Sequence, residues 1–138
     1  MQIKSGNILA LDVGTVRIGL AIASAETRLP HPLTTLANGE NLTEQLIGLI
    51  ENEAVTCLVI GLPRGLDGQE TAQTAYVREF AKDVDKIVTL PIYFQDEALS
   101  SARAKAELEA RNKPYAKGDV DALAATFILE DYLLEDRN

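Results

Sequence analysis

The apolar residues at the start of the chain form two short runs separated by a tight turn. The first run covers residues 7–13 (NILALDV) and the second covers 18–23 (IGLAIA). Short apolar runs bounded by turn residues are typical of buried strands. Because the turn at Val13-Gly14-Thr15 is so short, the two strands can pair only antiparallel. A third strand is predicted at Leu33–Leu36, so the chain is predicted to open with an antiparallel meander.

Beyond residue 40, helical spacing alternates with short apolar runs. Asn41 and Glu44 resemble a capping box in front of a helix with apolar residues at helical spacing. The run Val55–Leu62 predicts a strongly buried strand that ends at Pro63. The later predicted elements are a helix over 70–85, a strand at Ile92–Phe94, a helix over Ser100–Arg111 and a helix over Val120–Leu134. The helix over 70–85 is predicted to carry one packing face, formed by Gln73, Tyr76, Val77, Phe80, Ala81 and Val84.

This order of elements predicts an α/β fold with a five-stranded mixed sheet. The first three strands are expected to be antiparallel, and helices are expected to flank the sheet. Strands joined by a helical crossover should be parallel, with right-handed connections. In such sheets ligands bind at the carboxyl ends of the strands, so candidate chemistry should be sought there.

Composition adds limits to this picture. The 138 residues suit one domain, predicted to span 1–138, and the single cysteine, Cys57, allows no intramolecular disulfide. No signal peptide is visible, and the longest apolar stretch, 122–129, is too short to cross a membrane, so a cytoplasmic protein is expected. The formal net charge of −8 opposes nonspecific binding to nucleic acid unless basic residues cluster or metal ions intervene.

Three acidic residues lie where an apolar element meets its boundary. Asp12 follows the run ILAL, Glu97 follows the last predicted strand, and Asp121 lies in the first turn of the last predicted helix. At three- and four-residue steps Asp121 shares a helix face with Ala124, Ala125, Ile128 and Tyr132, which should turn it toward the sheet. Three carboxylates in one cleft need compensation, which a divalent metal bound by hard oxygen ligands supplies. Two such ions can activate a water molecule and stabilise the leaving oxygen of a phosphodiester.

Each acid also has a structural interpretation. An aspartate next to a Gly-Thr turn, as Asp12 is, is a common turn former. Glu97 could form a solvated acidic pair with Asp96. Asp121 or Asp119 could cap the last helix, and a capping role is favoured for Asp119.

The residues around these acids resemble the YqgF family of the RNase H-like superfamily. The matching motifs are LALDVGTVRIGLAIA (9–23), VIGLPRGLDGQETAQTAYVREFAKDV (59–84), QDEALSSARAKAEL (95–108) and KGDVDALAATFILEDYL (117–133). The resemblance implies an RNase H-like fold in which Asp12, Glu97 and Asp121 are the catalytic acids. These acids are expected to bind two ions of Mg²⁺ or Mn²⁺. One position departs from the family: Ala98 stands where an arginine usually follows the glutamate, and Arg103, one turn further on, is a candidate substitute.

Five basic residues are candidate substrate contacts. Arg17 follows the hairpin turn and Arg64 opens the loop after the fourth strand. A basic segment in front of the last helix carries the others, Arg111, Lys113 and Lys117.

The family resemblance implies a metal-dependent endonuclease that hydrolyses phosphodiester bonds, leaving a 5′-phosphate and a 3′-hydroxyl. Its expected role is processing of the 5′ end of pre-16S rRNA in ribosome biogenesis, acting as a monomer or homodimer on precursor particles. Resolution of four-way DNA junctions uses the same chemistry and is the close alternative; it calls for a symmetric dimer. Two other classes stay open: a non-catalytic RNA-binding protein with this fold, and an ATP-binding domain of the actin or sugar-kinase type, which would need a second domain.

Overall fold

Residues 6–97 and 100–135 are described by a computed structural model of the chain. They form a sheet flanked by helices, with the strands in the order β3-β2-β1-β4-β5. The elements in chain order are β1 (Asn7–Val13), β2 (Arg17–Ser24), β3 (His31–Ala37), α1 (Leu42–Asn52), β4 (Val55–Pro63), α2 (Ala72–Ile87), β5 (Ile92–Glu97), α3 (Ser100–Ala110) and α4 (Lys117–Glu135).

The strand pairing confirms the predicted mixed sheet. β1 pairs antiparallel with β2, and β2 pairs antiparallel with β3. β4 lies parallel to β1 on one side and to β5 on the other. The carboxyl ends of β1, β4 and β5 therefore lie along the same edge of the sheet, where the β1–β2 hairpin and the β4–α2 loop also emerge. We call this the carboxyl edge.

One face of the sheet is built from large aliphatic side chains. Because side chains alternate along a strand, every second residue of β1, β2 and β4 points to this face. Helices α1 and α2 cover it with side chains such as Leu46, Val77 and Val84. The strand residues that form this large-residue core are Leu9, Leu11, Val13, Ile18, Leu20, Ile22, Val55, Leu58, Ile60 and Leu62.

The opposite face is built from smaller side chains and is covered by α4. Helix α3 packs outside α4, where Ala104 and Leu108 meet Leu123 and Ala124. The buried strand residues under α4 are Ile8, Ala10, Ala21, Ala23 and Val59, which meet Ala125, Ile128, Leu129 and Leu133 of the helix. Small side chains bring the helix axis close to the sheet, and this closeness positions the acidic residues described below.

The start of α1 and the packing face of α2 differ from the sequence predictions. Helix α1 begins at Leu42, but the side chain of Asn41 caps no backbone N–H, so the predicted capping box is wrong. The capping box instead starts α2, where the Thr71 and Thr74 side chains each accept a hydrogen bond from the other residue's backbone N–H. Gln73 and Tyr76 are exposed rather than on the packing face, which carries Thr74, Val77, Ala81 and Val84.

Strand β5 and helix α4 are longer than predicted. β5 extends to Glu97, three residues beyond the predicted end. Helix α4 begins at Lys117, so Asp121 lies in its second turn rather than its first. Asp119 does serve the helix start, since its Oδ2 accepts a hydrogen bond from the Ala116 backbone N–H at 2.9 Å. Within the described parts of the chain, no helix is long and apolar enough to cross a membrane.

Candidate active site

Two of the three predicted acids are in direct contact at the carboxyl edge, and the third lies close by. Asp12 is the penultimate residue of β1 and Glu97 is the last residue of β5. Their carboxyl groups share a hydrogen bond. Asp121, on α4, lies near enough for its charge to act on Asp12. Elements far apart in the chain thus bring these carboxyl groups to one place.

Strand alternation explains why Asp12 faces α4. Ile8 and Ala10 of β1 pack under that helix, and Asp12 is the next residue in the same alternating series. The series ends where the sheet ends, so its last member meets a cleft rather than the apolar core. The strand therefore finishes on a carboxylate that points into a cleft beneath α4.

Gly61 leaves the space in which Glu97 reaches toward Asp12. β4 separates β1 from β5, and neighbouring strands lie about 4.8 Å apart, so the Glu97 side chain must extend over β4. A Cβ atom on Gly61 would stand 3.5 Å from Glu97 Oε2 and would overlap Ile128 Cδ1 of α4. Without a side chain at Gly61, both Glu97 and α4 can approach the sheet.

Gly19 likewise leaves the space in which the backbone at Asp121 approaches the sheet. It is the cross-strand partner of Asp12 on β2, so the two positions share a face of the sheet. A Cβ atom on Gly19 would overlap the backbone carbonyl of Asp121 and the backbone N of Ala122. The α4 backbone therefore lies directly against Gly19. Neither glycine was among the predicted site residues, although a glycine inside a buried strand is itself a signal of close backbone approach.

Arg17 is the cation closest to the acids among the described contacts. Its Nε donates to Asp121 Oδ2 at 2.5 Å, and the two side chains are 35% and 20% exposed. Arg17 is the first residue of β2, and its carbonyl accepts a hydrogen bond from the Gly14 N–H at 2.9 Å, which closes the hairpin turn. The Arg17 guanidinium therefore lies at the mouth of the cleft and neutralises Asp121.

Burial makes ionisation of the carboxyl pair costly. The pKa of Asp12 is raised to about 8, chiefly by burial and then by the charge of Glu97, their shared hydrogen bond and the charge of Asp121. Burial also raises the pKa of Glu97, although its hydrogen bond to Asp12 opposes that rise. At neutral pH, in the absence of a cation, the Asp12–Glu97 pair holds a proton.

The chemistry of these donors fits a hard divalent cation. A bound cation would compensate the negative charge of buried carboxylates that otherwise share a proton. Mg²⁺ and Mn²⁺ suit this position because they prefer oxygen ligands. Asp12 and Glu97 would hold the ion, with Asp121 as a further ligand. In the described residues no three Asp, Glu, His or Cys side chains form a ready ligand cluster. Asp121 is directed to Arg17 instead, so the third ligand is engaged by a protein cation.

The position of the family's usual arginine, Ala98, lies outside the described residues. Arg103, the candidate substitute, is engaged elsewhere. Its guanidinium stands 4.4 Å from the ring centroid of Phe127 and 3.3 Å from Asp131 Oδ2. These contacts hold Arg103 against α4.

The other candidate substrate contacts lie in two places. Arg64 follows β4 at the carboxyl edge, where its Nε stands 3.2 Å from Asp96 Oδ1. The basic segment occupies the α3–α4 connection, and its residues Arg111 and Lys113 line a depression of about 250 Å³. Arg111 pairs with Glu107 at 3.3 Å within its own helix end, and Lys117 is an exposed residue at the start of α4. The described contacts place only Arg17 against a candidate catalytic acid.

Known proteins resemble this chain in sequence and in fold. A profile of the RuvX family, described as "Holliday junction resolvase", matches residues 6–135. A "Putative pre-16S rRNA nuclease" of Maridesulfovibrio salexigens is 38% identical over 130 residues, covering 91% of this chain and 96% of the relative. A protein of the same name from Roseiflexus sp. is 33% identical and covers 99% and 100% of the two chains.

Two solved resolvase structures share the fold at low sequence identity. T. thermophilus RuvC in complex with a Holliday junction substrate superimposes with a TM-score of 0.60 and 13% identity, over 96% of this chain and 97% of that one. Fowlpox virus resolvase, also with junction DNA, gives 0.55 and 10% over 94% and 97%. RuvX and YqgF are names of the same family, so the predicted RNase H-like fold, family and nuclease class are confirmed. By the match over residues 6–135 and by its relatives, the chain belongs to the RuvX family.

Proposed function

We propose that this chain is a divalent-metal-dependent endonuclease whose site is formed by Asp12, Glu97 and Asp121. The observation that carries the proposal is the hydrogen-bonded Asp12–Glu97 pair, buried at the carboxyl edge with Asp121 beside it. A protein gains no stability from gathering buried carboxyl groups, because their charges repel and their burial is costly. Such a cluster is typical of a site that binds a cation.

Asp12 and Glu97 share one role in this proposal, and Asp121 has another. Asp12 and Glu97 would provide oxygen ligands, and their shared proton would pass to solvent when a cation binds. Asp121 neutralises further charge and is positioned by α4. When bound, Mg²⁺ or Mn²⁺ lowers the pKa of water and stabilises charge on the phosphoryl group. Two ions are proposed, because a pair can stabilise both the attacking and the leaving oxygen.

The acidic net charge is compatible with a nucleic-acid substrate. Arg17 and Arg64 both emerge at the carboxyl edge, so positive charge is available next to the acids. Guanidinium groups suit phosphate because they can donate two parallel hydrogen bonds. A bound cation would further offset the −8 charge at the point of cleavage.

The proposed substrate is the precursor of 16S rRNA, cut at its 5′ end during ribosome maturation. The names of the curated relatives support this substrate. Resolution of four-way DNA junctions is the second candidate, favoured by the description of the matching family. A resolvase must place two sites against opposed strands, so it should be a symmetric dimer, whereas rRNA trimming can be carried out by a monomer.

The test compares cleavage of precursor rRNA and of a synthetic four-way junction by the wild-type protein. We expect cleavage with Mn²⁺ or Mg²⁺, none with chelator, and a loss of about 10³-fold in Asp12→Asn, because a lost ligand removes transition-state stabilisation. Asp85→Asn, an exposed position on α2, makes the same charge change away from the acids and should cleave as wild type.

The outcomes separate the candidate functions. Cleavage of the rRNA precursor by a monomer supports rRNA processing, and cleavage of the junction by a dimer supports resolution. Binding of RNA without metal-dependent cleavage of either substrate would refute the nuclease proposal and leave a non-catalytic RNA-binding protein.

A further inference from the structure

The loop between β4 and α2 presents a large apolar side chain directly to solvent. Leu66 is 98% exposed, which is the highest value among the exposed large hydrophobic residues that the structure describes. Single exposed apolar residues are common on protein surfaces and need no special explanation. The surroundings of Leu66 set it apart.

The loop holds Leu66 in a defined position. The Gly68 N–H donates to the Gly65 carbonyl at 2.9 Å, which closes a four-residue turn with Leu66 at its first central position. The Gly65 N–H donates to the Gln69 carbonyl at 2.8 Å, and Gly68 has a φ of +81°, which favours glycine. This is the arrangement of a three-residue hairpin loop closed by a glycine bulge. Leu66 therefore projects outward from an ordered turn.

Arg64 links the same loop to the strand that carries Glu97. Its Nε stands 3.2 Å from Asp96 Oδ1, and Nη1 donates to the Gly68 carbonyl at 3.4 Å. Asp96 directly precedes Glu97 in β5. The turn, the arginine and the proposed catalytic glutamate are thus connected through neighbouring residues.

The second loop at the carboxyl edge repeats this combination. In the β1–β2 hairpin, Val16 is 66% exposed, and its neighbour Arg17 contacts Asp121. The hairpin is also braced, because the Asn38 backbone N–H donates to the Val16 carbonyl at 2.9 Å and the Asn38 side chain donates to the Gly14 carbonyl at 2.8 Å. Each of the two loops offers one aliphatic side chain and one arginine at the carboxyl edge, where Arg17 contacts Asp121 and Arg64 contacts Asp96, the neighbour of Glu97.

We propose that Leu66 is a wedge that packs against a base step of the nucleic acid, while Arg64 contacts the adjacent phosphate. Apolar side chains that enter a base step, accompanied by arginines on the backbone, are a known way for proteins to open stacked nucleic acid. The ligand class is a nucleic acid with an unpaired or weakly stacked base step beside the scissile phosphate. This inference rests on the proposed nuclease function and deepens it by naming the substrate feature that the site selects.

The test measures base unstacking directly and uses the full chain with Asp12→Asn to block hydrolysis. The probe is an RNA duplex with an unpaired 5′ segment and 2-aminopurine at the boundary, since this base brightens when it unstacks. We expect the parent to raise the fluorescence and to bind this RNA more tightly than a fully paired duplex. Leu66→Ser should lose the fluorescence rise and bind about 10-fold more weakly, whereas Leu66→Met should retain both properties, in line with the removal of one aliphatic side chain from water.

Leu29→Ser is the matched control. Leu29 is 71% exposed but lies in the connection between β2 and β3, at the opposite edge of the sheet. Because Leu66 and Leu29 are both largely exposed, neither substitution should change the melting temperature. A four-way DNA junction labelled in the same way tests whether the wedge acts on RNA, on DNA or on both.

The inference is overturned if Leu66→Ser keeps the fluorescence rise and binds within twofold of the parent, as it would if Leu66 contacts a partner protein. An equal loss in Leu29→Ser would overturn it too. Cleavage by the otherwise wild-type chain is measured in parallel. If the wild type cleaves and Leu66→Ser cleaves with the same KM, only the wedge is wrong; if the wild type neither binds nor cleaves, the proposed function fails with it.

Discussion

The two faces of the sheet are built from side chains of different size, and they serve different purposes. The face under α1 and α2 carries large aliphatic residues such as Leu11, Leu20 and Ile60, all fully buried. The face under α4 carries alanines and glycines, with Gly19 and Gly61 near the acids. Burial of large side chains supplies most of the hydrophobic stabilisation, at about 25 cal/mol per Å² of apolar surface.

The face under α4 has the smaller side chains and is called the smaller face below. It buries less apolar surface, but it allows the helix to lie closer to the sheet. A helix that rests on alanine and glycine can bring its backbone to the sheet, and α4 does so at Gly19. This approach puts Asp121 near Asp12, and the gap at Gly61 lets Glu97 reach the same point. The comparison indicates that one face determines how stable the protein is and the other determines whether the carboxyl groups meet.

The largest effect is expected from adding a methyl group to the smaller face, which should lower activity without removing any of the large-residue core. In Gly19→Ala the new Cβ would overlap the Asp121 carbonyl, so α4 must move away from the sheet. A displacement of about 1 Å at a catalytic group costs on the order of 10²-fold in rate. We expect nuclease activity per folded molecule to fall at least that far, measured as cleavage normalised to the folded fraction.

The neighbouring residue supplies the control from the other face. Leu20→Ala removes a fully buried side chain from the large-residue core and should lower the free energy of unfolding by about 2–5 kcal/mol. At a temperature where it remains folded, its cleavage rate should stay within a fewfold of wild type. Equal loss of activity in both variants would contradict the inference that one face determines stability and the other determines the positions of the carboxyl groups.

The second prediction concerns the cost of the carboxyl pair in the metal-free protein. The folded-state pKa of Asp12 is raised from 3.8 to about 8, so the native state binds more protons than the unfolded state between these values. Stability therefore falls as pH rises through that interval. Asp12→Asn removes the ionisation and should make the metal-free protein more stable by roughly 2–4 kcal/mol at pH 8.

Denaturant unfolding in chelator at pH 4.5 and pH 8 measures this effect. The gain from Asp12→Asn should be largest at pH 8 and should shrink toward pH 4.5, where Asp12 is protonated in the folded wild type. Added Mn²⁺ should stabilise the wild type more than the variant. A variant that is less stable than wild type at pH 8 would contradict this account, since the carboxyl pair would then be supporting the fold.

The fold could be predicted from the sequence because its signals are local. Apolar runs, helical spacing and connection lengths predicted the order of elements along the chain, the antiparallel start and the mixed sheet. The errors fell where a tertiary contact overrides local preference. Asn41 has the residue type of a cap but makes no capping bond, and Thr74, polar in sequence, is buried because its hydroxyl donates to the Pro63 carbonyl.

The site was only partly accessible from sequence. Strand ends and helix periodicity pointed Asp12 and Asp121 toward the same cleft, and family motifs indicated Glu97. The contact between Arg17 and Asp121 joins residues 104 positions apart, and no local pattern reports such a pair. The clearances at Gly19 and Gly61 depend on where α4 lies, which follows from packing of the whole smaller face.

The smallest expected effect tests how the smaller face holds its third acid. Arg17 occupies Asp121 Oδ2 and places a positive charge at the mouth of the cleft, so it should oppose entry of a divalent cation. In Arg17→Gln we expect calorimetric Mn²⁺ affinity to rise about threefold without nucleic acid, because Asp121 is released, whereas Arg17→Lys should stay near wild type. Arg78→Gln removes the same charge from a surface pair with Glu70 and should leave the affinity unchanged. Weaker Mn²⁺ binding in Arg17→Gln would instead mean that the guanidinium orients Asp121 as a ligand, so that the hairpin assists the metal site rather than competing with it.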